Sequence, residues 1–259
     1  MNNGLIPLAR LQALMGQSID ALAEILADRS LPAGERADLA LRLLSLGLGA
    51  GSAPAPAPNA DAGLPLQSVT IPDFLSAEQH AEVVRIALAN RARFVKSTVT
   101  TNAEGYRESQ VLHATEFPAL YEALRHEIIA ALPSVFGGLA LAPFPVPHVE
   151  MQMTAHGDGA FFKVHDDAGS PDTERRALTY VYYFQAHALR GFTGGGLRIY
   201  RTYPQSPMRH DPAQFREIEP LDNSLVFFDS HLMHEVLPVS VPSGAFEDWR
   251  FTVNGWLHR

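Results

Sequence analysis

The sequence predicts an α+β protein whose centre is a double-sheet barrel or jelly roll, with flanking helices. Three observations predict it. Helical periodicity dominates the first half, many short β-rich runs fill the second half, and a Pro/Ala-rich spacer isolates a short helical segment at the start.

Residues 8–28 place Leu8, Leu11, Met15, Leu22, Ile25 and Leu26 at the spacing of one helical face. A second helix is expected from about Pro32 to Leu48, with Leu39, Leu43 and Leu46 apolar, and Leu31-Pro32-Ala33-Gly34 punctuates the pair. Residues 1–50 are thus read as a helical hairpin, too small to be stable alone and suited to docking, dimerisation or partner contact. GSAPAPAPNADAG opens a linker at 51–64, because repeated proline blocks helix and favours extended chain. The remaining residues, 65–259, form the main domain.

Within it, Val69–Phe74 reads as a strand ending at Pro72-Asp73, and Ser76 caps a helix over about Ala77–Ala89. Another helix is expected over about Pro118–Leu132, carrying Leu120, Leu124, Ile128 and Ile129. From Val146 onward the runs VEMQMTA, FFKVHDD, ALTYVYYF, GGLRIYR, NSLVFFD, HEVLPV and RFTVNGWL are rich in β-branched and aromatic residues and separated by turn formers. TYPQSPMRHDPAQFREIEP reads as a long loop at the barrel mouth. It and FVKSTVTTNAEGYRES are the expected entrance walls, where Arg107 or Arg201 could meet an anionic substrate.

Composition narrows the chemistry. The 259 residues contain no cysteine, which excludes disulfides, thiolate metal sites and a cysteine nucleophile. Any metal must be held by nitrogen and oxygen. The formal charge of −8 and the absence of a dense Lys/Arg run disfavour nucleic-acid binding. Neither a secretory signal nor a membrane-spanning stretch is legible, and a cytoplasmic location is the expectation.

In FFKVHDDAG, strand alternation sends His165 and Asp167 to one face and Asp166 to the other. Alone, H-x-D is weak, since a solvated strand end looks the same. The third candidate ligand is His234, which opens a strand after the turn that follows NSLVFFD; His231, in that turn, is its rival. Two histidines and one carboxylate form a facial triad that leaves open positions on iron(II). In WRFTVNGWL, Arg250 and Thr252 share a strand face, where a guanidinium and a hydroxyl could clamp a carboxylate. A surface pairing of Arg250 with Glu247 or Asp248 is the alternative.

FFKVHDDAG, RRALTYVYYF, FTGGGLRIY, LVFFDSHLMHEVLPV and RFTVNGWLH, in that order, resemble the iron(II)/2-oxoglutarate-dependent dioxygenases, and among them the prolyl 4-hydroxylase-like group, over roughly residues 66–259. The resemblance implies a double-stranded β-helix, the jelly roll above, in which His165, Asp167 and His234 bind iron and Arg250 binds 2-oxoglutarate. It also places Tyr183 near that co-substrate's carboxylate, although an aromatic residue on such a strand can simply fill the core. His156 stands where relatives often carry tyrosine, and VPSGAFED lengthens the interval from His234 to Arg250. The implied reaction consumes dioxygen and 2-oxoglutarate, releases succinate and carbon dioxide, and hydroxylates a C–H bond of an amino-acid, peptide or protein substrate, with a small metabolite also compatible. Ascorbate is the expected reductant. The presence of Asp167 favours hydroxylation over halogenation. Two rivals are a zinc hydrolase, which would leave Arg250 without a task, and a non-catalytic metal- and 2-oxoglutarate-binding sensor or interaction protein on the same barrel.

Overall fold

The computed structural model describes residues 63–97, 107–204 and 209–259, all within one compact unit. The expected hairpin at 1–50 and nearly all of the linker lie outside the described residues. The last linker residue is already docked: the Leu64 amide donates to the Thr202 carbonyl at 2.6 Å, and its side chain packs on a small apolar cluster.

Thirteen strands follow in chain order with two α-helices among them. They are β1 (Ser68–Ile71), α1 (Ala77–Ala89), β2 (Val95–Lys96), β3 (Gln110–His113), α2 (Pro118–Gly138), β4 (Val149–His156), β5 (Phe162–His165), β6 (Arg176–Phe184), β7 (Thr193–Gly194), β8 (Leu197–Tyr203), β9 (Arg209–Ile218), β10 (Ser224–Asp229), β11 (His234–Val236), β12 (Val239–Ser240) and β13 (Arg250–His258). A seven-stranded sheet runs β1-β10-β6-β13-β4-β3-β2, and a four-stranded sheet runs β5-β11-β8-β9. β7 and β12 form a separate two-stranded ribbon. This is the α+β jelly roll expected from the sequence.

Alternation along the strands explains the layers. In β6, Leu178, Tyr180, Tyr182 and Phe184 join the main core with both helices, whereas Thr179, Val181 and Tyr183 face the barrel interior. β13 repeats the pattern, with Phe251, Val253 and Leu257 in the core and Arg250, Thr252, Asn254 and Trp256 inward. Both faces of the large sheet are covered, so its central strands read as almost continuous apolar runs.

α1 begins with a capping box. The Ser76 hydroxyl accepts from the Gln79 amide at 3.2 Å, and the Gln79 side chain returns the favour to the Ser76 amide at 3.0 Å. α2 differs from expectation by continuing past Pro133 to Gly138. Val135 and Phe136 are buried there, so the gain from packing the last turn outweighs the hydrogen bond lost at proline.

The stretch expected to be a long mouth loop is largely β9, paired antiparallel with β8 through a register shift after Tyr200. Its side chains are almost all exposed. With neither face buried, the segment carries no period-two apolar signal.

Candidate active site

His165 ends β5 and His234 opens β11, and the two residues are directly opposite each other in that antiparallel pair. Their rings lie 4.2 Å apart, centroid to centroid. One ligand atom from each of His165, Asp167 and His234 falls within 4.8 Å of the others. Asp167 presents one carboxylate oxygen at 3.7 Å from His165 Nε2 and the other at 3.3 Å from His234 Nε2.

The strand has already ended before Asp167, so alternation alone does not place it. Its amide donates to the Ser230 carbonyl at 2.9 Å, and its Oδ2 accepts from the Thr179 hydroxyl at 2.7 Å. Asp166 does turn away, as the sequence implied, and accepts instead from the Ala168 amide at 3.1 Å.

Both imidazoles have fixed orientations. His165 Nδ1 lies 2.7 Å from the Lys163 carbonyl and His234 Nδ1 lies 2.8 Å from the Leu232 carbonyl. Each Nδ1 must therefore carry the proton, which leaves both Nε2 lone pairs facing Asp167. Burial pushes the His165 imidazole down to about 3. Burial also works against charging His234, but the Asp167 carboxylate prevails and raises it. Burial alone would raise Asp167, yet His234 and His165 together hold it below the usual carboxylate range. The donor set, two neutral imidazoles and one carboxylate with no sulfur, suits a divalent transition metal such as iron(II).

His231 is outside this cluster. Its Nδ1 pairs with Asp229 Oδ1 at 2.9 Å, and the side chain is about a third exposed.

The opposite wall of the pocket is formed by β4, β13 and β6. Arg250 is 2% exposed, donates through Nε to the Gly195 carbonyl at 2.7 Å, and through Nη1 meets His156 Nδ1 at 3.3 Å. No carboxylate pairs with it among the described residues. Glu247 is 3.6 Å from Arg91 and Asp248 accepts from Ser243, so the expected surface alternative is not formed. The guanidinium lies over the Tyr183 ring at 5.1 Å.

His156, Tyr183 and Trp256 each bury a polar atom without a hydrogen-bond partner: Nε2, the hydroxyl and the indole N–H. Because Arg250 donates to His156 Nδ1, the proton of neutral His156 belongs on Nε2. Burial, reinforced by Arg250 and Arg107, keeps that imidazole uncharged. All three orphans are thus donors lining the pocket that also contains the triad and Arg250. Thr252 lines it too, with its hydroxyl donating to Asn254 Oδ1 at 3.2 Å.

The sequence did not single out the supporting residues. Thr179 and Trp256 are opposite each other on β6 and β13, and Arg176 stacks on the Trp256 indole at 3.6 Å. Arg176 also forks onto Glu150 at 2.8 and 2.6 Å and donates to the Asp167 carbonyl at 3.3 Å. One signal was available: counting in twos from Arg250 puts Asn254 and Trp256 on its face.

A pocket that sets two histidines and one carboxylate opposite a buried arginine has the ligand pattern of the non-haem iron oxygenases. Residues 151–258 match the family model described as 2OG-Fe(II) oxygenase superfamily. An uncharacterised PKHD-type hydroxylase from Synechocystis sp. is 41% identical over 189 residues, covering 73% of this chain and 62% of that protein. The chain therefore spans less than two thirds of the length of that curated relative.

Two solved structures share the fold. A prolyl-4-hydroxylase from Pseudomonas putida is 22% identical, covers 77% of this chain and 96% of its own, and has a TM-score of 0.52. A prolyl hydroxylase from Trichoplax adhaerens, in complex with a hypoxia inducible factor oxygen degradation domain peptide fragment, is 18% identical, covers 75% of this chain and 84% of its own, and has a TM-score of 0.54. Residues 151–258 thus carry the sequence pattern of the 2OG-Fe(II) oxygenase superfamily, and the barrel shares its fold with the two prolyl hydroxylases.

Proposed function

We propose that the protein is an iron(II)- and 2-oxoglutarate-dependent hydroxylase acting on a peptide or protein. His165, Asp167 and His234 would hold the metal, and Arg250, with Tyr183 and Thr252 beside it, would hold the far carboxylate of the co-substrate. One observation carries this reading. The pocket contains a buried arginine that no carboxylate pairs among the described residues, beside buried donor atoms of His156 and Tyr183 without a hydrogen-bond partner. Burying an unpaired charge costs several kcal/mol, so the arrangement is favourable only with an anionic, oxygen-rich ligand in place.

Each side chain has a definite task. The two Nδ1–H to carbonyl bonds hold the imidazoles in the ligating tautomer, and Thr179 and Ser230 fix the carboxylate. The Arg250 fork suits a carboxylate, with the Tyr183 hydroxyl and His156 Nε2–H as further donors. Val181, Leu197, Phe228 and Val236 supply apolar pocket wall, which limits water around the reacting bond. With both bound, iron and 2-oxoglutarate would activate dioxygen, one oxygen atom ending in succinate, released with carbon dioxide, and the other converting a C–H bond to C–OH. The peptide preference rests on the fold shared with peptide-binding prolyl hydroxylases.

The test is binding and turnover together. Calorimetry should show 2-oxoglutarate binding to the Zn(II)-loaded chain, and succinate should form with iron(II), ascorbate and dioxygen. A chain that binds 2-oxoglutarate neither with nor without metal would remove the proposal.

A further inference from the structure

Arg107 is a second, half-buried arginine in the same pocket, and the reading above gives it no task. It forms an isolated antiparallel bridge with Phe162, supported by the Glu108 amide donating to the Phe161 carbonyl at 2.9 Å. Its guanidinium lies 4.6 Å over the Phe162 ring, and that ring stacks on His165 with centroids 3.6 Å apart. The cation is therefore one aromatic layer from a proposed metal ligand.

The side chain is anchored at one end only. Nε donates to the Ser109 hydroxyl at 2.8 Å, and that hydroxyl is held by Ser97 at 2.8 Å. Neither terminal nitrogen has a partner among the described residues. The nearest carboxylate in sequence, Glu108, turns to Lys96 at 3.5 Å. Burial lowers Arg107 to about 10, with only the Asp167 charge working the other way.

Its position differs from that of Arg250. Arg250 is deep on β13, whereas Arg107 and Gln152 border both the active-site pocket and a neighbouring groove. That groove, about 360 Å³, is walled by Val95, Lys96, Ser97, Val111 and His113. Arg107 thus stands between the groove and the metal cluster, with Nε held by Ser109 and its two terminal nitrogens without a partner among the described residues.

We infer that Arg107 is a specificity-determining residue that holds a carboxylate carried by the molecule to be oxidised, separate from the co-substrate carboxylate assigned to Arg250. This rests on the oxygenase reading and deepens it: the substrate is an acid. The carboxylate could belong to a free amino-acid derivative or to an acidic side chain in a peptide. Both present the same planar pair of oxygens to the guanidinium.

The test uses the full chain loaded with Zn(II) and 2-oxoglutarate, which binds without turning over. Two probe pairs are titrated by calorimetry: N-acetylproline against N-acetylprolinamide, and acetyl-Pro-Asp-amide against acetyl-Pro-Asn-amide. In at least one pair the acid should bind about tenfold or more tightly than its neutral partner, and the pair that responds identifies the source. Arg107→Gln should reduce that preference to about twofold or less while leaving the 2-oxoglutarate Kd within about twofold. Arg107→Lys, which keeps the charge but not the fork, should fall between. Retained 2-oxoglutarate affinity also shows that the variants are folded.

The inference is overturned if the wild type prefers neither acid or binds no probe, or if the preference survives Arg107→Gln. It is equally overturned if Arg107→Gln weakens 2-oxoglutarate, since the arginine would then serve the co-substrate. Failure of the wild type to bind 2-oxoglutarate at all is a different result. It removes the oxygenase reading, and the acid preference is then judged on the Zn(II)-loaded chain alone.

Discussion

Gly195→Ala should impair 2-oxoglutarate binding without touching the metal. Gly195 has φ +68°, and a Cβ there would lie 2.5 Å from Arg250 Cδ and 3.0 Å from both Arg250 Nε and Val239 Cγ2. Two costs follow. An L-residue in the left-handed region loses about 1–2 kcal/mol. Carbon atoms also pack at about 3.5–4 Å, so Arg250 Cδ must retreat by roughly 1 Å. That retreat disturbs the 2.7 Å bond from Nε to the Gly195 carbonyl and moves the fork off any carboxylate it holds. Losing one charge-assisted hydrogen bond is worth about 1.5–3 kcal/mol, a weakening of roughly 10- to 150-fold. Calorimetric titration of the Zn(II)-loaded protein measures it. Gly244→Ala is the control, because Gly244 has φ +65° with nothing within 4 Å of its added Cβ. It should lower the melting temperature similarly and leave the 2-oxoglutarate Kd alone. If Gly195→Ala destabilises the fold but binds 2-oxoglutarate as the wild type does, Arg250 is not the co-substrate receptor.

Other outcomes can be stated more briefly. Thr179→Val removes the 2.7 Å hydrogen bond to Asp167 Oδ2, and metal affinity, read by chelator competition, should fall about 10- to 100-fold. His234→Ala should abolish stoichiometric metal binding, whereas His231→Ala should keep it, since His231 is committed to Asp229; the reverse result would relocate the site. Burial alone would raise Glu150, but bonds from Arg176 and His258 prevail and hold it below the usual carboxylate range. A depressed folded pKa contributes stability that is present above the unfolded value of about 4.3 and is lost as pH falls through the folded value. Melting temperatures from pH 6 to 3 should therefore fall less steeply in Arg176→Met than in the wild type, by an amount equivalent to about 1 kcal/mol. Parallel curves would show that the pair contributes nothing.

Where a residue's partner was a strand neighbour or a fixed period, the sequence carried the information. The inward and outward sets of β6 and β13 follow from counting in twos, and His234 was separable from His231 because an apolar strand, HEVLPV, begins at the former. Legibility failed where packing or chain crossing decided. Nothing in the spacing marks Thr179 as a neighbour of Asp167 or Trp256 as a neighbour of Thr179; the last two meet because β13 pairs with β6 in the large sheet. Asp167 itself is held by Ser230 and Thr179, from β6 and the β10–β11 turn, rather than by continuing β5. β9 was invisible because a strand with both faces largely in water needs no apolar alternation. Arg107 was visible as a basic residue near the entrance, but its place over the Phe162 ring depends on the bridge to Phe162, and no local pattern encodes that contact.

The division of the site between the two sheets has a consequence for how it works. His165 and His234 belong to the four-stranded sheet, while Arg250, Tyr183 and His156 occupy adjacent strands of the seven-stranded sheet, with Arg250 registered opposite His156. At the metal cluster Phe228 of the large sheet packs edge-on against His234 at 4.8 Å, and the polar contacts across the two sides are chiefly the Thr179 and Ser230 bonds to Asp167. A dicarboxylate that reached from the metal to Arg250 would therefore tie one sheet to the other and satisfy the stranded donors on the second. Metal alone can tie only β5, β11 and the Asp167 turn. The buried donors are unfavourable without a ligand, so under the proposed function the barrel would select its co-substrate by length as well as by charge.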